Sequence, residues 1–384
     1  MNSHNTSRRT VLKLLSGSLL GSSFGLAATS CTHKKFFNPD EDILLSGSNI
    51  TDDKSLQNAL IVINLTQSKK RIIKTSFFPH GVCIDPNNKY RIFCFEKNST
   101  NACEINLKSL KVTQYFTSTK NHTFSGHAAF SENSNEIYCI ENNINTRQGA
   151  VIVRNSDTFE AIKRLPTLGL SANDCHLIEA QTLVISNTGR SESDFHQPSL
   201  VYIDLETEKL LKRIKLDDKN LNCGHFDITE KGDLVIASAP VSSLDETLSG
   251  GVSIQPANEK LTTMTQPEPV IKRMTGEALS ITINKQYDIV AVTHPQANLL
   301  TFWSITQSRI IKAYGIENPR GICQTLDGKY FVVSYGRTPA IAKISSKMMT
   351  PVADSIVRST LATSDHMINW SAIIRKIMPA RIYD

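Results

Sequence analysis

Five histidines stand at near-even steps along the chain, each opening a short apolar run: His80, His127, His176, His225 and His366. Neutral imidazole is a common ligand for copper, iron and zinc, and several imidazoles meeting on one axis would hold an ion or a small cluster. A second outcome stays open for each: a histidine that only hydrogen-bonds a carbonyl or a channel water. No local spacing unites these five, so their chemistry depends on a fold that returns the chain repeatedly to one place. Other chemistries lack support, because the chain has no Ser-His-Asp order, HExxH, P-loop or GxGxxG.

The elements that must position them can be read from a repeat. Each copy is a turn, a histidine, a few apolar residues, a polar turn and a β-rich run. Pro79-His80-Gly81 leads to Arg91-Ile92-Phe93-Cys94-Phe95, and Gly126-His127 leads to Ile137-Tyr138-Cys139-Ile140. Cys175-His176 leads to Leu183-Val184-Ile185, and Gly224-His225 leads to Leu234-Val235-Ile236. Two copies lack the histidine, beginning near Ala278 and Arg320, and a partial copy starts at Asp365-His366. From His80 the steps are 47, 49, 49, 53, 43 and 45 residues. A period in the forties with four short strands per unit is the signature of propeller blades. Residues 43–46, 59–63 and 71–74 read as strands two to four of a blade that lacks its first strand, which the segment at His366 supplies. Joining the ends completes a seventh blade and removes the open edges. The expected fold is therefore all-β, a seven-bladed propeller (YVTN/WD40-like) over residues 42–384, with a linker at 32–41 and an insertion near 244–251.

In such a ring the first strand of each blade lines the channel, so the five motif histidines are expected at one mouth. Glu141, Asn142, Arg320 and His196 are further candidates for that mouth, each with turn or loop chemistry as the alternative.

The first thirty-one residues read separately. Ser7-Arg8-Arg9-Thr10 and Lys13 form a basic start with a twin arginine, followed by a weakly apolar stretch and small residues at 27–30. That resembles a Tat signal, too short and polar for a stable span, and implies periplasmic export. Cys31 follows directly, leaving open lipidation, with membrane anchoring, or ordinary cleavage. Residues 1–31 carry three basic residues and no acid, so the net charge falls from +6 to +3 without them. That gives no footprint for nucleic acid. The other seven cysteines include no CxxC and sit mostly in apolar strand patterns, where thiols behave as small hydrophobes and disulfides are not required.

Pro79-His80-Gly81, Gly126-His127 with Phe130-Ser131, Glu141-Asn142, His176-Leu177, Asn187 with Gly189, Pro198-Ser199-Leu200 and His225 occur in an order that resembles the domain of unknown function 1513. That is a family of Tat-exported bacterial propellers. The chain departs from it at Phe78-Pro79-His80, which lacks an Arg, and at Ser171-Ala172-Asn173-Asp174-Cys175, which replaces a Gly-Pro lead-in. The loop after Asn187 is also shortened. The resemblance implies genes lying beside imelysin-type iron-uptake proteins and a di-haem oxidoreductase-like protein. It therefore implies a role in periplasmic iron or copper handling, with imelysin-like partners. A looser parallel is nitrous oxide reductase, which holds copper through histidines on a propeller axis. Two alternatives remain: a scaffold for envelope proteins, and a metal-dependent hydrolase or lactonase, whose axis would usually carry oxygen ligands.

Overall fold

The structure is a computed structural model describing residues 35–52, 55–189, 197–241 and 247–379. Seven antiparallel sheets follow one another along the chain. We number the blades from the first complete one. Their innermost strands are Gly81–Asp85, His122–Phe130, Ala172–Ile178, Phe226–Ile228, Ile281–Asn284, Ile322–Gln324 and Met367–Asn369. Six sheets have four strands, and blade six has three.

The burial patterns explain why these segments become these strands. Second strands such as Leu234–Ser238 and Ile289–His294 are covered on both faces by neighbouring blades, so they read as nearly unbroken apolar runs. Outermost strands such as Lys111–Thr117 and Leu210–Lys215 are exposed over most of their length and carry the charge that discourages edge pairing. The apolar side chains form seven separate clusters, one between each pair of adjacent blades. Packing within each wedge sets the angle between two blades, and the sum of those angles closes the ring.

Blade seven is built from both ends. Strand Ile43–Asp52 pairs antiparallel with Met367–Asn369, matching Leu44 to Asn369 and Ser46 to Met367. Asn369 then caps the helix Trp370–Ile377, its Oδ1 accepting from Ala372 N at 3.2 Å. Trp370 is fully buried, donates its indole N–H to Lys89 O at 2.7 Å, and meets Phe37 edge-on. One boundary differs from expectation. Residues 36–41, expected to be linker, pack on the propeller, because Phe36 and Phe37 cover the apolar cluster around Trp370. Within the expected insertion, residues 242–246 lie outside the described residues, and Gly251 opens the third strand of blade four. No helix among the described residues is long and apolar enough to cross a membrane.

Candidate metal centre

Each innermost strand begins its uninterrupted ladder at one defined pair, and the residue just before that pair faces the axis. The pairs are Gly81–Phe95, Ala128–Cys139, Cys175–Ile185, Phe226–Ile236, Ile281–Val292, Ile322–Val333 and Met367–Ser46. The seven axial positions are therefore His80, His127, Asp174, His225, Ser280, Gly321 and His366.

Four of the five expected histidines come together. One ring nitrogen from each of His80, His127, His225 and His366 lies within 4.8 Å of the others. The Nε2 atoms of all four are buried and have no hydrogen-bond partner. The Nδ1 atoms of His127 and His225 are engaged, and that of His80 faces a carboxylate. Asp174 places Oδ1 3.2 Å from His127 Nδ1 and Oδ2 3.2 Å from His225 Nδ1. Asp365 Oδ2 stands 3.9 Å from His80 Nδ1. A carboxylate on Nδ1–H fixes the tautomer that leaves Nε2 with its lone pair free, the usual outer-shell arrangement of a histidine ligand. Metal–imidazole bonds of about 2.1 Å allow opposite ligands to be about 4.2 Å apart. The observed spread thus suits one ion after a small contraction.

The electrostatics agree. Burial, then repulsion from neighbouring imidazoles and Lys97, holds His80 and His366 well below the ordinary histidine range. Burial brings His127 down to about 3 against the opposing pull of Asp174. Burial would raise the Asp174 carboxyl, but its contacts with His127, His225 and His176 outweigh that and hold it well below the usual carboxylate range. Neutral imidazoles beside an ionised carboxylate are ready to accept a cation.

Local backbone chemistry makes the close approach feasible. Ser125 Oγ accepts from His127 N and Ser364 Oγ from His366 N, each at 3.2 Å, so two blades present their imidazole from the same turn. Gly126 has φ +106°, and a Cβ there would sit 2.5 Å from His80 Cδ2. A Cβ on Gly81 would sit 2.0 Å from Gly126 O. Only glycine lets blades one and two deliver adjacent imidazoles.

The fifth histidine does not join. His176 lies two residues beyond the axial position of blade three, one step further down the channel on the same side of its strand. Its side chain is 38% exposed, its ring lies against Phe226, and its Nε2 is 3.9 Å from Asp174 Oδ2. Asp174 occupies the place expected for it. Asp174 follows His127 by 47 residues, the same step that separates His127 from His80. That equal step was the one available signal.

The remaining candidates sort cleanly. Glu141 is fully buried inside blade two, where it accepts from Arg154 Nη2 at 2.6 Å and Thr119 Oγ1 at 2.6 Å, so it is an internal ion pair and no part of the centre. Asn142 clamps blade three, accepting from Ala172 N and donating to Ala172 O, and it borders a polar cavity of about 330 Å³ at the mouth. Arg320 pairs with Asp365 and donates from Nε to Thr363 O at 2.9 Å, steadying the carboxylate beside His80. His196 and Cys31 lie outside the described residues, as does the twin arginine. The seven other cysteines are free thiols, six of them buried.

No curated protein matches the chain in sequence. Among solved structures the fold is similar to hydrazine synthase from Kuenenia stuttgartiensis, with TM-score 0.60 and 11% identity over 83% of this chain and 98% of that one. It is also similar to the dihydro-heme d1 dehydrogenase NirN in complex with DHE, with TM-score 0.58 and 10% identity over 88% of this chain and 77% of that one. At such identity these likenesses establish the propeller alone. The sequence profile of one family matches residues 78–369, from the strand lead-in before His80 to the cap residue of the last helix. The chain therefore belongs to the family described as protein of unknown function, DUF1513.

Proposed function

We propose that the protein binds one transition-metal ion through His80, His127, His225 and His366 and serves as a metal-handling propeller of the periplasm, accessory to iron or copper uptake. The observation that carries this reading is the convergence of one ring nitrogen from each of four histidines whose buried Nε2 atoms have no other partner. Leaving four imidazole acceptors buried and unpaired would be costly, and a cation removes that cost. An all-imidazole set suits copper, iron, zinc or nickel, and affinity rises toward copper in the divalent series. Asp174 and Asp365 supply negative charge one shell out, which partly balances the ion. The twin-arginine start supports export, with Cys31 as the site of an optional lipid anchor. The family resemblance supports imelysin-like partners.

The test is metal analysis by plasma mass spectrometry on natively exported protein, followed by copper(II) and iron(II) titration of the stripped form. Near-stoichiometric binding is expected, and its loss in a His127→Ala, His225→Ala double variant that still folds. Protein that emerges without metal and takes up none would overturn the reading.

A further inference from the structure

The axial ring has a gap. Imidazoles come from blades seven, one, two and four, and Asp174 of blade three is committed to two of them. The two remaining positions, Ser280 and Gly321, are neighbours in the ring and the smallest side chains in it. Their smallness is structural as well: a Cβ on Gly321 would sit 2.8 Å from Met367 Cβ. Neither blade therefore offers an imidazole or a carboxylate at its axial position, and Ser280 Oγ accepts from Ile322 N at 3.3 Å.

Along the channel next to the histidines lies a cavity of about 460 Å³ to which all seven blades contribute, blade five with Ser280. His127, His225 and His366 line it with Asp174, and the C-terminal helix contributes Ala372, Ile373 and Lys376, whose ammonium pairs with Glu230. Its side walls are largely apolar, with Phe226, Ile281, Ile322 and Ile368 among them. The polar groups in the wall are mostly occupied by protein. Asp227 accepts from Ile228 N and Ile283 N, at 2.9 and 2.8 Å. Gln324 donates to Thr282 Oγ1 and Ile283 O. His176 keeps a half-exposed ring in the same space. Volume, apolar lining and a few polar groups are the attributes of a small-molecule pocket. A purely structural metal site, by contrast, is closed on all sides.

We propose, resting on the metal-binding reading above, that the ion keeps an exchangeable coordination position opening into this cavity. Its ligand is an apolar small molecule bearing one lone-pair donor of the azole or phenolate kind. The donor atom approaches the ion along the channel on the side of Ser280, where no imidazole stands, and the apolar body lies along Ile281 and Ile322. The centre is thus a receptor for a metal-bound ligand as well as a place to hold an ion.

The test uses copper(II)-loaded full-length mature protein, its metal content measured first, titrated separately with imidazole and 4-phenylimidazole. Electron paramagnetic resonance and visible absorption report on the copper. Both azoles are expected to change the copper spectrum while the metal stays with the protein on gel filtration. The phenyl compound is expected to bind more tightly by about tenfold or more, from burial of its ring. An Ile281→Trp variant, which fills the cavity without touching a ligand, is expected to retain copper and lose that preference. A copper spectrum indifferent to both azoles, equal affinity for the two, or extraction of the copper would each overturn the open position or its apolar specificity. Protein that takes up no copper would overturn the metal-binding reading itself, and the initial metal measurement registers that separately.

Discussion

Asp174 holds the centre together at the scale of single residues, since one carboxylate orients two imidazoles from blades on either side of it. In Asp174→Asn a single amide oxygen can serve one Nδ1–H, and the amide N–H₂ opposes the other. Metal affinity is expected to fall about 10–100-fold, read by competition with a chelator. His176→Ala is expected to leave metal content unchanged, because that ring lies outside the converging set. The stripped protein also has a characteristic acid response. The unfolded chain protonates its histidines near pH 6.5, whereas His127 in the native ring resists down to about 3, and His80 and His366 resist likewise. Between those limits the unfolded state binds more protons, so stability is full above the ordinary histidine range and falls as pH drops through it. Asp174, held low, adds a loss below the ordinary carboxylate range. Thermal melts of apoprotein should show this decline, and a Tm that stays flat from neutral pH down to about 4 would contradict it. The four converging histidines were legible from the repeat, yet for blade three His176 was expected at the axial position that Asp174 occupies. Composition favours a histidine as ligand, and nothing in one sequence marks the phase of a strand to within two residues.

At the scale of elements, the inner strands of blades two and three explain that error. Both begin pairing early and then shift register, between Phe124 and Ala128 and between Ala172 and Cys175. The extra residues bow toward the axis and carry His127 and Asp174 into it, as bulges do when they re-aim a side chain. Gly126→Ala forces a side chain into the left-handed region and against His80. It is expected to cost about 1–3 kcal/mol and to lower metal content in the folded fraction. Glu141→Ala should separate the two effects. It strands a buried Arg154 and is expected to cost about 3–5 kcal/mol in denaturant melts, with metal stoichiometry of the folded protein intact. The second strands were legible as apolar runs because both of their faces are covered. The outer edge of blade six was not. There the chain makes only isolated bridges, Ile341 with Val357 and Ile344 with Pro351, and a proline has no N–H to continue a ladder.

Across the whole molecule, the ring is a set of seven wedges with no single central core, so its closure depends on the last pair to form. The short strand Met367–Asn369 and the helix behind it provide that closure. Trp370→Ala would leave a cavity between blades seven and one and is expected to cost about 3–5 kcal/mol. Because the ion would tie blade seven to blades one, two and four, binding should stabilise the closed ring. Free metal at a hundredfold excess over Kd should add about 2.7 kcal/mol, visible as a rise in Tm. The closure was legible in the sequence because each terminus presented part of a blade and the parts were complementary. Residues 36–41 were not, since two adjacent phenylalanines in a short polar stretch look the same whether they pack or not.

The strand that shuts the ring begins one residue after His366, so the fourth imidazole reaches the axis only when Met367–Asn369 has been synthesised and has paired with Leu44–Ser46. A polypeptide interrupted anywhere before that point lacks the fourth imidazole and the seventh inner strand together. An ion held by that ring would then be a certificate of manufacture: a molecule that held it would have been translated through its last blade and joined end to end.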